Sequence, residues 1–407
     1  MDQNDRALTA FTMLGHAMFH TFELVIPLFI VVWLDAFSTT TTVLGLIIGA
    51  SYACTGVGAL PSGLLSDRVN AKWLIIGCMA GMGGGFLLVS VAPTLIVLSF
   101  GLLLWGSAAS VYHPAGLSLL SRGANERGAA FAYHGMAGNV GVATGPILGA
   151  LLLAFFHWRT VAALLVVPVA LAILLALQLE FDETAAVTEE APMADGRGEK
   201  ATLKQFVATS KLLFAGSFLL VFFIGNLYGL YYRGVFTFLP EVLAGFSLFD
   251  PIHVGTRSLA PSQYVYSGLL LFGGVGQYAG GKLVDRYTAE HVLVANFVVL
   301  AFIAFAFIPA ANAGLWPFLC ISGLLGFFVF FEGPVNQEVI SQAVPPDVRG
   351  LSFGWTYTAV FGVGAIGSAI AGTILEWWSA KALFAVLGVF AVLAGLIGIN
   401  LSKSREH

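Results

Sequence analysis

Apolar residues dominate long stretches of the chain, and short polar stretches separate them at regular intervals. Each apolar stretch reaches the roughly 20 residues that a helix needs to cross the hydrocarbon core of a bilayer. None alternates with the period of two that a spanning strand shows. The pattern therefore predicts twelve membrane-spanning helices, numbered span 1 to span 12. Their predicted limits are 8 to 34, 41 to 65, 71 to 91, 94 to 121, 128 to 155, 159 to 180, 211 to 243, 263 to 282, 290 to 309, 314 to 342, 351 to 376 and 380 to 402.

One polar stretch, from 181 to 210, divides the spans into two sets of six. It loses the apolar runs and gains charge, Pro and Gly, as flexible linkers do. We predict an all-α membrane protein with an N-terminal six-helix bundle (1–180), a linker (181–210) and a C-terminal six-helix bundle (211–407). The first apolar stretch is far longer than the core of a signal peptide, so we expect it to be retained as span 1.

Charge sets the expected orientation and excludes some partners. Only 10% of the 407 residues are charged, against about 25% in soluble domains. Fourteen of the 18 basic residues fall on the side of the N-terminus, which predicts cytoplasmic termini in a cell membrane. A net charge of -4, with basic residues at span ends, argues against nucleic acid. The three cysteines lie in apolar spans and predict neither a disulfide framework nor a cofactor site.

The two halves of the chain resemble each other. GLLSDR at 63–68 recurs as GKLVDR at 281–286, an offset of 218 residues. Pro114 matches Pro334, and the Arg-Gly pair at 127–128 matches the pair at 349–350, at offsets of 220 and 222. Three landmarks in the same order at a nearly constant offset indicate a duplication, and therefore two pseudo-symmetric bundles.

The loop after span 2, GLLSDRVNAK, resembles the G-x-L-a-D-R-x-G-R-K loop of the major facilitator superfamily. The matching residues are Gly63, Leu65, Asp67, Arg68 and Lys72, whereas Asn70 and Ala71 depart from the pattern. The second half repeats the acid and base of this loop as Asp285 and Arg286. The resemblance implies transport by alternating access, with the substrate site between the halves. It also implies that the loops latch one conformation through their charges and helix-end dipoles.

Span 5 contains GNVGVATGPILGA (138–150), similar to the Gly-Pro signature of the antiporters of this superfamily. Gly141, Gly145, Pro146 and Gly149 carry the match. Small residues let helices approach closely and proline bends a helix, which suits a moving interface. The stretch from 111 to 141 resembles the fosmidomycin-resistance type of bacterial and archaeal exporters more closely. That resemblance implies an exporter of a drug or small anion, with a monomer as the expected state.

Ionisable side chains inside a membrane are costly and are functional candidates by default. His16, His20 and Glu23 of span 1 share one helical face through spacings of four and three. His113 of span 4 and His134 of span 5 lie at a depth similar to that of His16, so a cluster of imidazoles from different spans is expected. Imidazole titrates near neutral pH. Glu23 is predicted to be the principal proton carrier with His20 modulating it; the alternative is that these groups only hydrogen-bond between helices.

The second half adds Arg233 in span 7, with Glu332 and Asn336 one turn apart in span 10. Arginine is a forked donor suited to carboxylate, phosphate or phosphonate. Arg233 therefore either binds an anionic substrate or pairs with Glu332, and both hypotheses stay open. Asn139 of span 5 is a further polar candidate for the substrate or proton site.

Other classes of function fit the sequence less well. Neither a Gly-x-Ser-x-Gly elbow nor a His-Glu-x-x-His motif is present, which argues against an enzyme. Copper transport is an alternative suggested by His16, Met18 and His20, but Met18 lies about 200° around the helix from each histidine, and no metal site is predicted. The favoured function is proton-coupled antiport, which exports a small compound or drug. Anions are among the candidate substrates. The same cavity also allows proton-coupled import of organic anions.

Overall fold

The computed structural model describes residues 1–66, 69–186, 203–254, 257–344 and 349–406. These residues form helices apart from one short β-hairpin, in which Ile252–Val254 (β1) pairs with Arg257–Leu259 (β2). The helices are α1 Gln3–Ala36, α2 Thr41–Ser66, α3 Ala71–Ser90, α4 Leu95–Ala109, α5 Tyr112–Gly123, α6 Arg127–Leu153, α7 Trp158–Leu164, α8 Val166–Gln178, α9 Leu203–Phe214, α10 Phe218–Ala244, α11 Pro261–Val284, α12 Ala289–Ala313, α13 Leu315–Ala343, α14 Arg349–Tyr357, α15 Ile366–Trp377 and α16 Ala380–Glu406.

Eleven helical stretches among the described residues are long and apolar enough to cross a membrane. The twelfth is α11, whose 24 residues match the others in length but include more polar side chains. The predicted all-α fold of twelve spans is therefore confirmed. Spans 4 and 6 each combine two helices (α4 with α5, α7 with α8), and span 11 combines α14 with α15.

Four predicted spans are interrupted where the apolar pattern predicts continuity. Span 4 breaks at Ser110 and span 6 at Leu165, because Pro114 and Pro168 cannot donate the backbone hydrogen bond to residue i−4. Span 11 contains a π-helical segment at Thr358–Val363, where the Gly364 amide donates to the Ala359 carbonyl, five residues earlier. Span 7 was predicted to begin at 211, but α10 begins at Phe218.

Helix α9, which lies before the start of α10 at Phe218, begins at Leu203, inside the predicted linker. Residues 187–202 lie outside the described part of the chain. The first linker residues are fixed to the N-terminal bundle, because the Glu183 carboxylate accepts the amides of Ala71 and Lys72 at 3.0 and 2.9 Å. Both amides lie at the N-terminus of α3, where an anion is favoured.

The close contact between α1 and α6 positions the polar face of span 1. Small residues on α6 form a groove for α1, in which Gly138, Gly141, Gly145 and Gly149 face His16, Ala17, Thr21 and Val25. A Cβ added at Gly145 would lie 2.7 Å from the Thr21 Cα, so only glycine permits this approach. The glycines of the predicted antiporter signature thus hold two helices of the same bundle together.

The two bundles meet along α2 and α15 and around α1 and α10. The Thr41 hydroxyl donates to the Gly372 carbonyl at 2.8 Å, and a Cβ added at Gly45 would lie 2.6 Å from the Ser368 carbonyl oxygen. The Tyr266 hydroxyl of α11 donates to the Leu24 carbonyl of α1 at 3.2 Å. These contacts bring the middle of α1 against the C-terminal bundle.

We predict that Gly145→Ala lowers the thermal unfolding temperature of the detergent-solubilised protein, because the added methyl group forces α1 and α6 apart. Gly135→Ala on the same helix is the matched control, since a Cβ there meets no atom within 4 Å. Alanine is favoured over glycine in a helix by about 0.5–1 kcal/mol, so the control should be neutral or stabilising. Equal unfolding temperatures for the two variants would contradict the close approach.

Candidate functional site

A buried ion pair joins the two bundles at the centre of the molecule. The guanidinium Nη2 of Arg233 on α10 donates to Glu23 Oε1 on α1 at 2.6 Å. The Glu23 and Arg233 side chains are only 1% and 2% exposed. An ion pair shielded in this way interacts far more strongly than a surface pair, and removing one partner leaves an uncompensated charge.

Aromatic rings enclose the guanidinium. Its central carbon lies 3.7 Å from the ring centre of Tyr52, 5.2 Å from that of Tyr232 and 5.6 Å from that of Phe361. The Tyr52 hydroxyl donates to the Glu23 carbonyl at 3.1 Å, so the same tyrosine fixes both partners. Rings at these distances favour the cation and exclude water from it.

A chain of hydrogen bonds continues from Glu23 along span 1. His20 Nδ1 contacts Glu23 Oε2 at 2.7 Å, and His20 Nε2 lies 3.2 Å from His16 Nε2. His16 Nδ1 donates to the His134 carbonyl at 2.7 Å. The predicted polar face of span 1 therefore forms one connected network that reaches from α6 to the inter-bundle ion pair.

The other two histidine candidates border this network. The His134 ring stacks on that of His16, with centroids 4.0 Å apart. His113, at the start of α5, has its ring centroid 5.2 Å from that of His16 and 5.7 Å from that of Tyr357 in the C-terminal bundle. The structure thus brings all four predicted histidines together, and His113 also contacts the opposite bundle.

The hypothesis that Arg233 pairs with Glu332 is wrong in this structure, because Arg233 pairs with Glu23. Glu332 is 1% exposed on α13, and within the described chain its Oε1 atom has no hydrogen-bond partner. Asn336, one turn away, is 6% exposed and its Oδ1 is likewise unpartnered. Asn139 is half-buried on α6 and lies outside the network.

Only part of the predicted latch lies among the residues that the structure describes. A Cβ at Gly63 would lie 3.8 Å from Pro114, an ordinary contact. Asp67 and Arg68 lie outside the described residues. Asp285, directly after the end of α11, pairs with Lys282 of the last turn of that helix at 3.8 Å with both side chains exposed, and Arg286 is also exposed. The latch function of these loops stays a prediction.

The middle segments of the two central helices are completely buried. The ten residues 21–30 of α1 and the ten residues 231–240 of α10 are all buried. Outside these stretches both helices include half-buried residues, and the His20 side chain retains 17% exposure. The ion pair therefore lies in the fully buried middle of the two helices, and His20 is more exposed than Glu23.

Sequence reasoning missed the aromatic enclosure of Arg233. Its members Tyr52, Tyr232 and Phe361 come from three separate spans, and aromatic residues are frequent throughout the chain. The only local signal was the tyrosine-rich stretch NLYGLYYRG around Arg233 itself.

Comparison with known proteins places this architecture in a family. The model of the Major Facilitator Superfamily matches residues 9–367 and, in a second match, residues 257–406. The chain belongs to the Major Facilitator Superfamily. It is therefore a multi-pass membrane protein that transports small molecules and is not an enzyme.

Three relatives within the superfamily are informative. An uncharacterized MFS-type transporter of Bacillus subtilis (strain 168) is 24% identical, over 93% of this chain and 90% of its own length. A Na(+), Li(+), K(+)/H(+) antiporter of Planococcus maritimus is 22% identical, over 82% of each chain. The fosmidomycin resistance protein of Escherichia coli (strain K12) is also 22% identical, over 84% of this chain and 80% of its own length. The predicted resemblance to the fosmidomycin-resistance type is confirmed.

Solved structures support the fold. A D-xylose-proton symporter superposes with a TM-score of 0.77 at 14% identity, over 97% of both chains. A bacterial homolog of the human lysosomal transporter Spinster, in an inward-facing and occupied conformation, superposes with a TM-score of 0.75 at 14% identity. That match covers 99% of this chain and 98% of the homolog. Both establish the major facilitator fold.

We predict that Glu23→Gln lowers the unfolding free energy by about 3–5 kcal/mol, because it leaves the Arg233 charge buried without a partner. Replacing both residues, Glu23→Gln with Arg233→Met, should restore part of this loss. Asp285→Asn is the control, since an exposed pair contributes about 0–1 kcal/mol. If the changes in unfolding temperature of the two single variants add up to the change in the double variant, Glu23 and Arg233 are not energetically coupled.

Proposed function

We propose that this protein is a proton-coupled antiporter that exports a small anionic compound by alternating access. The observation that carries the proposal is the Glu23–Arg233 ion pair, which joins the two bundles at 2.6 Å in a buried site. Rocking of the bundles separates α1 from α10, so this pair has to break during a transport cycle. A charge exposed in this way needs a new partner, and an anionic substrate supplies one for Arg233.

The chemistry of Arg233 defines the substrate class. One terminal nitrogen of the guanidinium donates to Glu23, while its Nε has no partner among the described residues. A carboxylate, phosphate or phosphonate group accepts two parallel hydrogen bonds from such a fork. A phosphonate-like anion competes with Glu23 for the guanidinium, and the surrounding rings contact its apolar part.

The coupling proton is assigned to Glu332. The sequence-based expectation placed it on Glu23, with His20 modulating it, but Glu23 has the guanidinium as its counter-charge. Glu332 is buried on α13, and in the described chain no cation lies within ion-pair distance of it. A carboxylate without a counter-charge is costly in an apolar interior, so the protonated form of Glu332 fits its surroundings.

The two carboxyl groups then alternate as partners of Arg233. The Tyr228 hydroxyl of α10 donates to the Val329 carbonyl at 2.9 Å, which holds α10 against α13 one turn from Glu332. When Glu332 releases its proton, its carboxylate attracts the guanidinium away from Glu23, and the remaining N–H donors of the guanidinium, Nε among them, become available to the anionic substrate. Proton release on α13 is thus coupled to opening of the contact between α1 and α10.

The names of two relatives support the direction. One is described as a cation/proton antiporter and another as a fosmidomycin resistance protein. The predominance of basic residues on the side of the termini supports cytoplasmic termini in the plasma membrane. We also propose that the protein functions as a monomer in the lipid bilayer.

We expect everted membrane vesicles that contain this protein to accumulate labelled fosmidomycin when their lumen is acidified, and a protonophore to abolish the accumulation. Glu332→Gln should reduce proton-driven accumulation to the level of empty vesicles, because glutamine binds no proton. Exchange of labelled for unlabelled substrate without a gradient should be lost as well, because the neutral glutamine cannot attract the guanidinium away from Glu23. Glu338→Gln, half-buried on the same helix, is the matched control.

Proton-driven accumulation by Glu332→Gln at the wild-type rate would remove Glu332 from the coupling step. If accumulation instead requires an alkaline lumen, opposite to the imposed gradient, the protein is a proton-coupled importer and not an exporter. No transport in either direction by the wild type would exclude this substrate class.

Arg233→Lys tests the anion site separately. Lysine keeps the charge but loses the fork, and one charge-assisted hydrogen bond corresponds to about tenfold or more in affinity. We expect weaker fosmidomycin transport at an unfolding temperature close to that of the wild type. Arg159→Lys, whose side chain donates to the Ala92 carbonyl away from the site, is the control. Unchanged transport by Arg233→Lys would remove the binding role.

A further inference from the structure

Three histidines of the network place ring nitrogens close enough to share one ion. One ring nitrogen from each of His16, His20 and His113 lies within 4.8 Å of those of the other two. Two of the histidines come from α1 and the third from the start of α5, so the site lies within the N-terminal bundle. The function proposed above assigns no step to this nitrogen cluster.

The hydrogen bonds of His16 and His20 leave one particular nitrogen available on each ring. His16 Nδ1 donates to the His134 carbonyl at 2.7 Å, and His20 Nδ1 donates to the Glu23 carboxylate at 2.7 Å. Histidines that ligate metals almost always donate their second ring nitrogen to a backbone carbonyl or a carboxylate, which fixes the tautomer. Here both types of partner are present, and both Nε2 atoms are left with lone pairs.

The distance between these two Nε2 atoms matches that of a pair of metal ligands. They lie 3.2 Å apart. A tetrahedral ion with metal–nitrogen bonds of about 2.05 Å holds two of its nitrogens about 3.3 Å apart. Two lone pairs that face each other at this distance repel unless a cation lies between them. The arrangement therefore fits a cation bound by both rings.

His113 completes the set of three. Its Nε2 atom is buried and has no hydrogen-bond partner in the part of the chain that the structure describes. All three ligand nitrogens lie within 4.8 Å of one another, so that of His113 has to move by no more than about 1.5 Å to reach the 3.3 Å spacing of a tetrahedral ion. Because α5 begins directly after the break at Ser110, a small shift of this helix start moves His113 without disturbing α4.

Neighbouring side chains do not replace these ligands. The His134 ring stacks face to face on that of His16, at an interplanar angle of 13°, so its nitrogens lie beside the ring and not opposite the two Nε2 atoms. Met18 lies about 200° around α1 from both histidines. The donor set is therefore three imidazole nitrogens.

We propose that His16, His20 and His113 bind one divalent transition-metal ion of the borderline class, such as Zn²⁺ or Co²⁺. Imidazole suits these ions, and three histidines leave a fourth position for water or for an oxygen of a bound anion. The ion binds next to the Glu23–Arg233 pair, to which His20 is joined by its hydrogen bond to the Glu23 carboxylate.

The test uses the full chain, purified in detergent with an affinity tag free of histidine. Titration with Zn²⁺ in a calorimeter should give one bound ion per chain, and Co²⁺ should give the visible absorption of a four-coordinate complex. His16→Gln, His20→Gln and His113→Gln should each weaken binding at least about tenfold, since even second-shell partners contribute 10- to 100-fold. His253→Gln, exposed in β1, is the control and should bind like the wild type.

Folding of the variants is checked by the unfolding temperature without metal. Addition of Zn²⁺ should raise this temperature for the wild type and His253→Gln, because a ligand that binds only the folded state stabilises it. The rise should disappear in the three ligand variants.

Two results would overturn the metal site. One is the absence of saturable Zn²⁺ or Co²⁺ binding, which would leave a proton shared between His16 and His20 as the explanation of their contact. The other is equal affinity in His113→Gln and wild type, which would place the ion elsewhere. Neither result depends on transport, so failure of this proposal and failure of the antiport proposal are distinguished.

Discussion

The buried ion pair between Glu23 and Arg233 constrains the rest of the molecule. Two opposite charges in an apolar interior are tolerated only when their geometry is good and their remaining hydrogen-bonding groups are satisfied. Tyr52 meets part of this requirement by stacking on the guanidinium and donating to the Glu23 carbonyl. His20 meets another part by contacting the second carboxylate oxygen. Because the partners belong to different bundles, the same pair that stabilises this conformation has to be dismantled in the next.

The position of the histidine network along the membrane normal follows from the packing of α1 on α6. The glycine groove lets α1 approach α6 until the His16 ring lies over Gly138, where its Nδ1 meets the His134 carbonyl. A larger residue at Gly138 would occupy the space of that ring. The polar network is thus built on a contact to which α6 contributes glycines, and helix packing determines where the ionisable groups of α1 face.

Much of the fold was predictable because membrane spans follow directly from apolar length. The breaks were not, since the apolar pattern continues through Pro114 and Pro168, and a proline is also compatible with an unbroken helix, as Pro27 and Pro146 show. The start of span 7 was misplaced because α9 is amphipathic and its apolar residues run on into α10.

The candidate site was predictable in its members but not in all of its contacts. The face shared by His16, His20 and Glu23 followed from helical spacing. Arg233 has two buried carboxylates available, Glu23 and Glu332, and the sequence contains no information on which of them lies across the gap. The aromatic neighbours of Arg233 depend on the packing of three spans and carry no local signature.

The π-helical segment at Thr358–Val363, whose hydrogen bonds span five residues instead of four, inserts one extra residue into span 11. One additional residue rotates everything beyond it by about 100° and moves it by about 1.5 Å. Before the segment, Tyr357 is turned towards His113, and after it Ser368 and Gly372 lie against α2. In an uninterrupted α-helix Tyr357 and Ser368, eleven residues apart, would lie on the same face, about 20° from each other. The inserted residue turns the two surfaces away from each other, which allows a single helix to contact partners in two directions.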